Sequence, residues 1–180
     1  AFEARLYAED VPKGFLPATG RLAHLAFPKG VRADTGVRSG DEITPHYDPM
    51  IAKLVVHGPT RDIALRKLRR ALDETQVAGT VTNLSFLGAL ARHAGFAAGD
   101  VDTGLIDRDR DALVVAAEPA PEVRAEAALA AAGLLGAVAP DTGFTLWAPL
   151  RRRLGLRRNG EETAVTVSSE GPDRHVVEMD

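Results

Sequence analysis

Apolar and polar residues alternate at the start of the chain. Phe2, Ala4 and Leu6 take turns with Glu3, Arg5 and Tyr7, which is the two-residue period of a half-buried strand. Pro12, Gly14, Pro17 and Gly20 then break the chain before a second apolar run over residues 22–27, which Pro28 and Gly30 end. The stretch VRADTGVRSGDEI reads as two short strands with turns at Gly36 and Gly40. The run over 50–56 is apolar except at Lys53, the pattern of a strand covered on both faces.

After HGPTRD at 57–62 the period becomes helical. Ile63, Ala64, Leu68, Ala71 and Leu72 fall on one stripe, and Arg66, Lys67, Arg69 and Arg70 crowd the other as a solvated face. From Thr82 or Asn83, either of which can cap, LSFLGALARHAGF is apolar almost all round and predicts a buried helix that stops at Gly95. Residues 111–122 carry two prolines and little periodicity, which places a domain boundary there: residues 1–111 form one domain and 112–180 a second. In the second, Pro121 opens an alanine-rich helix ended by Gly133 and Gly136. Strands follow at GFTLWAPL, at RRLGLRR joined through Asn159 and Gly160 to EETAVTVSS, and at RHVVEM. The fold class is α+β, mainly antiparallel sheet with helices, then one helix with antiparallel strands.

Composition narrows the function without naming it. The 180 residues are 45% hydrophobic and 26% charged, as expected of a folded, soluble protein. There are no cysteines, which excludes thiol catalysis, disulfides and cysteine-ligated metal within the chain. A net charge of -3 gives no reason to expect nucleic acid or an anionic membrane as partner. No run of about 18 apolar residues is present, and the first residues lack the blocks of an export signal, so a cytoplasmic setting is expected. The first residue is not Met and both ends fall on strand-like runs, which reads as a piece of a longer polypeptide.

Several strings go further. FEARLYAED at 2–10, GFLPATGRL at 14–22, DTGVRSGDEITPHYDPMIAKL at 34–54, GTVTNLSFL at 79–87 and GDVDTGLI at 99–106 are ordered and spaced so that residues 1–107 resemble the C-terminal subdomain of biotin carboxylase. The helix and strands of 108–180 look like the region that follows it in the alpha subunits of 3-methylcrotonyl-CoA, propionyl-CoA and geranyl-CoA carboxylases. The first block is most similar to the methylcrotonyl-CoA type. The resemblance implies a small barrel wrapped on a helix, present here in part, that docks onto the carboxyltransferase (beta) subunit. It further implies ATP-dependent carboxylation of biotin through carboxyphosphate, with ATP, magnesium and bicarbonate held mostly upstream of this chain. Biotin would arrive on a carrier domain outside it, and a homo-oligomer is allowed.

On that resemblance Arg32, in the family's Val-Arg motif, is the catalytic residue: a planar, permanently charged guanidinium that faces the oxygen of the biotin ring as the ring nitrogen loses its proton. Read alone, Arg32 has a plainer role, pairing with Asp34 two residues along one strand face. Tyr47, Asp48 and Lys53 form a second cluster, assigned to support rather than chemistry. A lysine in an apolar strand needs a carboxylate, and Asp48 or Glu3 is the expected one. Glu3, Arg5, Tyr7 and Glu9 share a strand face as a charge ladder. The five histidines lack metal-ligand spacing, GDVDTG reads as a turn, and no metal is assigned. RRRLGLRR at 151–158 holds five arginines; those facing Glu161 and Glu162 in a hairpin balance charge, while Arg151, Arg152 and Arg153 beside Trp147 suit a protein interface. The chain has no phosphate loop and no lysine between two methionines, so the isolated piece is expected neither to hydrolyse ATP nor to carry biotin. A non-catalytic interaction module and a biotin-independent ligase of the same architecture are the alternative readings.

Overall fold

The computed structural model describes residues 1–114, 118–136, 138–158 and 161–179. It divides into two units, Ala1–Ala116 and Ala117–Asp180. The first runs β1 (Phe2–Tyr7), β2 (Glu9–Asp10), β3 (Leu16–Pro17), β4 (Gly20–Arg21), β5 (His24–Ala26), β6 (Arg32–Thr35), β7 (Glu42–Ile43), β8 (Met50–Val56), α1 (Arg61–Glu74), β9 (Gln76–Ala78), α2 (Leu84–Arg92), α3 (Ala94–Ala98), α4 (Leu105–Arg108) and α5 (Arg110–Leu113). The second runs α6 (Pro121–Ala131), β10 (Arg151–Arg158), β11 (Glu161–Gly171) and β12 (Arg174–Met179).

The central element of the first unit is an antiparallel sheet ordered β1-β8-β6. Ala4 stands opposite Leu54, which stands opposite Ala33, and this row faces inward. α1 covers it with Leu65, Leu68, Ala71 and Leu72, and α2 adds Ala91. Each leucine so buried contributes roughly 1.5–3 kcal/mol relative to an exposed one. Ile51, which the β1 register skips, joins Leu6, Ala8, Leu22 and Ile43 in a neighbouring cluster. The predicted stripe of α1 is correct in period, and Thr60 caps the helix by accepting from the Ile63 amide at 3.3 Å.

Two local expectations change. The helix expected to run on to Gly95 breaks at His93 and resumes as α3, with Gly99 in the left-handed conformation (φ 84°) as its end. Arg61 stabilises that arrangement: its guanidinium donates to the Phe96 and Ala97 carbonyls at the end of α3 and lies 4.9 Å from the Phe2 ring centroid. Asn83 precedes α2 but does not cap it through its side chain. Its carboxamide oxygen accepts from the Tyr7 amide at 2.9 Å and its nitrogen donates to the Arg5 carbonyl at 3.2 Å. A buried side chain thereby satisfies two backbone groups on the free side of β1.

In the second unit Ala128, Val165 and Val167 form the core between α6 and an open sheet ordered β10-β11-β12. Pro121 sits in the first turn of α6, as its sequence position suggests. No strand forms over GFTLWAPL among the described residues, contrary to the sequence pattern. Phe144, Leu146, Trp147 and Leu150 are exposed, so their alternation has no sheet to pack on. The Asn159-Gly160 hairpin turn lies outside the described residues, and the strands that flank it pair Arg157 with Glu162 and Arg158 with Glu161.

Replacing Asn83 by Ala leaves the Tyr7 amide and the Arg5 carbonyl without these partners. The expected loss is about 1–3 kcal/mol for each group that water cannot reach. Urea unfolding followed by circular dichroism checks it, and a midpoint equal to that of the parent chain refutes the role given to Asn83.

Candidate functional site

The inward row of the β1-β8-β6 sheet leaves the alternate residues on its other face. Two cross-strand rows result: Glu3, Val55 and Arg32, then Arg5, Lys53 and Asp34. Glu3, Arg32 and Lys53, three residues singled out in the sequence, therefore share one sheet face although 50 residues separate the first from the last. A period of two on three paired strands does this without any dedicated loop.

The charges on this face are paired along the strands. Arg5 Nε donates to Glu3 Oε1 at 3.1 Å. Arg32 Nε donates to Asp34 Oδ1 at 3.0 Å and to Oδ2 at 3.2 Å, while its Nη2 donates to Oδ2 at 3.0 Å. The Arg32 side chain is still 73% exposed and Asp34 35%. Hydrogen bonding from Arg32, with the nearby charge of Lys53 as a lesser cause, holds the Asp34 carboxyl below the usual range, and Asp34 in turn holds the Arg32 guanidinium above its ordinary value. Lys53 is part-buried, and the carboxylate directly across from it is Asp34, not Asp48 or Glu3 as the sequence reading expected.

Tyr47 and Asp48 lie elsewhere, in the turn that enters β8. Tyr47 is 86% exposed, and Asp48 Oδ1 accepts from the Met50 amide at 2.9 Å. Burial, with the charge of Asp48 adding to it, pushes the Glu9 carboxyl up. Arg32 also borders a cleft of about 560 Å³ whose charged lining is Lys29, Lys67, Arg70 and Glu74. Lys67 Nζ donates to the His57 carbonyl at 2.9 Å, and Arg70 pairs with Glu74 at 2.6 Å. Lys67 and Arg70 belong to the helix face that the sequence pattern predicts as solvated, and no sequence pattern marks Lys29. Three separate elements build the cleft, and no local pattern announces it.

Among the described residues no three His, Asp or Glu side chains lie close enough together to hold a metal. Asp102 closes the GDVDTG turn by accepting from the Gly104 amide. His93 joins α2 to α3 with Nε2 3.3 Å from Asp109 Oδ2.

In the second unit the arginines of β10 are largely engaged. Arg151 pairs with Glu178, Arg157 with Glu162 at 3.2 Å and Arg158 with Glu118 at 2.6 Å, and Arg152 donates to the Ala132 carbonyl. Trp147, four residues before the first residue of this strand, is 94% exposed.

The family described as "Biotin carboxylase C-terminal domain" matches residues 3–108. Over 126 residues, 69% of this chain, it is 53% identical to the methylcrotonoyl-CoA carboxylase alpha subunit of Glycine max, of which it covers 17%. It is 51% identical over 138 residues to the counterpart in Dictyostelium discoideum, covering 75% of this chain and 20% of that one. The chain thus spans about a fifth or less of the length of these relatives. Among solved structures, the biotin carboxylase domain of Hydrogenobacter thermophilus 2-oxoglutarate carboxylase superposes with a TM-score of 0.62 at 32% identity, covering 64% of this chain and 26% of that one. The Kluyveromyces lactis urea carboxylase matches with a TM-score of 0.57 at 43% identity, over 58% of this chain and 9% of that one.

The Arg32 and Asp34 pairing has a pH signature. A carboxyl whose value is depressed on folding stabilises the fold above its unfolded value and loses that contribution as pH falls through the folded one. A carbon-13 NMR titration should place the Asp34 midpoint below the ordinary carboxylate range, and Arg32→Ala should move it upward. An unchanged midpoint in the variant contradicts the pairing.

Proposed function

Because the chain belongs to the biotin carboxylase C-terminal domain family, we propose that it completes the biotin site in the ATP-dependent biotin carboxylase subunit of an acyl-CoA carboxylase, of the methylcrotonyl-CoA type. The observation that carries this reading is Arg32: it stands outward on β6, and its terminal nitrogens are not both consumed by Asp34. A guanidinium keeps its charge throughout catalysis and presents donors in a fixed plane. It suits an oxygen that gains negative charge as a cyclic urea gives up a proton, and such preorganised donors act where the charge develops. Glu3 and Lys53 shape the field around it from the same face. Asp48 and Tyr47 hold the entry to β8, a supporting role. ATP, magnesium and bicarbonate belong, on this reading, to the upstream part of the longer protein, and biotin arrives on a carrier domain.

We assign residues 1–111 to the carboxylase subdomain and 112–180 to docking on the carboxyltransferase subunit. The exposed side chains of Phe144, Leu146, Trp147 and Leu150, next to Arg151, Arg152 and Arg153, favour this second role, since aromatic and arginine side chains anchor protein interfaces. The acyl-CoA is then selected by the partner. The compartment we assign is the cytoplasm, whereas the eukaryotic relatives are named as mitochondrial; cell fractionation decides between them.

In the full-length subunit Arg32→Ala should lower the rate of ATP-dependent biotin carboxylation by about 10²- to 10³-fold. A rate like that of the parent enzyme rejects the role given to Arg32. Trp147→Ala in the same subunit should weaken binding to the carboxyltransferase subunit by about 30-fold or more, the scale of an anchor residue, in a titration calorimetry experiment. Unaltered affinity places the docking surface elsewhere.

A further inference from the structure

A guanidinium has five N–H donors: one on Nε and two on each terminal nitrogen. Asp34 takes the Nε hydrogen and one from Nη2, bridging the Nε side of the group. Both hydrogens of Nη1 and the second of Nη2 remain, and together they form the terminal edge. A side chain as exposed as Arg32, with four rotatable bonds before its plane, would otherwise be spread over many rotamers. Two parallel contacts to one carboxylate fix both the direction and the plane of the fork.

The strand that carries the carboxylate is itself held. Asp34 and Lys53 stand directly opposite in the β6 and β8 register. At the next residue the Thr35 hydroxyl donates to the Ile51 carbonyl at 2.7 Å and accepts from the Val37 amide at 3.2 Å, which pins the end of β6 to β8.

We propose that Asp34 is a positioning residue: it occupies the Nε side of Arg32 so that only the terminal edge is offered to the substrate oxygen, and Lys53 keeps Asp34 in place from the adjacent strand. This rests on the function proposed for Arg32 and adds the group that aims it. A surface ion pair contributes little to stability. The effect of losing it therefore belongs in the rate.

The experiment uses the full-length subunit and measures kcat and KM for free biotin in the parent enzyme, Asp34→Asn, Asp34→Glu, Arg32→Ala and the Arg32→Ala/Asp34→Asn double variant. Misplacing a reacting group by an ångström can cost about 10²-fold, so Asp34→Asn should lower kcat by about 10- to 100-fold. Asp34→Glu should recover part of it. On the Arg32→Ala background the same Asp34→Asn change should cost nothing more, because a residue that acts only through Arg32 has nothing left to aim. A full kcat for Asp34→Asn, or an equal loss on both backgrounds, overturns the inference. A full rate in Arg32→Ala overturns the underlying reading instead, so the two failures are distinct. Should Asp34→Asn not fold, Lys53→Met gives the same test: a smaller fall in kcat that vanishes on the Arg32→Ala background supports the inference, and one that persists there refutes it.

Discussion

Each side of β8 is hydrogen-bonded to a neighbour, β1 on one side and β6 on the other, and the first unit depends on that double pairing. The ladder fixes register, and register in a pleated sheet decides which face every side chain takes. A slip of one residue would turn Leu54 out to water and Lys53 into the core. The buried contacts of Leu54 with α1 and the outward placing of Lys53 are therefore one choice, made once by the sheet. Arg32 inherits its direction from the same source, since Ala33 must point inward opposite Leu54.

Polar groups complete what the apolar core leaves unfinished. β1 has β8 on one side only, and Asn83 supplies hydrogen bonds to the other from a residue more than 70 positions away in sequence. Arg61 does the same for the carbonyls that end α3, and Arg69 for the Ala91 carbonyl at the end of α2. These contacts join segments that no periodicity connects.

Legibility in the sequence follows the range of the interaction responsible. The alternation of Phe2–Tyr7, the apolar run of Met50–Val56 and the stripe of α1 are local and were readable, as was the resemblance in the strings that surround them. The break at His93 was not, because LSFLGALARHAGF is apolar almost all round and holds no proline, while the contacts that accompany its division come from Arg61 and Asp109, both distant. GFTLWAPL carries the composition of a strand, yet strand formation needs a paired neighbour, which a single segment cannot announce. The site shows the same split. Arg32 and Asp34 are two residues apart on one strand and their pairing was visible, whereas the placing of Lys53 opposite Asp34 required the strand order.

The way Asp34 engages Arg32 also limits what position 32 can hold. An ammonium has its donors on a single atom, so on the role proposed for Arg32 a lysine would have to divide one point of charge between the aspartate and an incoming oxygen. A guanidinium separates those tasks in space, with one flank for the protein and one for the visitor. On that proposed role position 32 calls for a two-sided cation, and equal charge alone would not make a substitute equivalent.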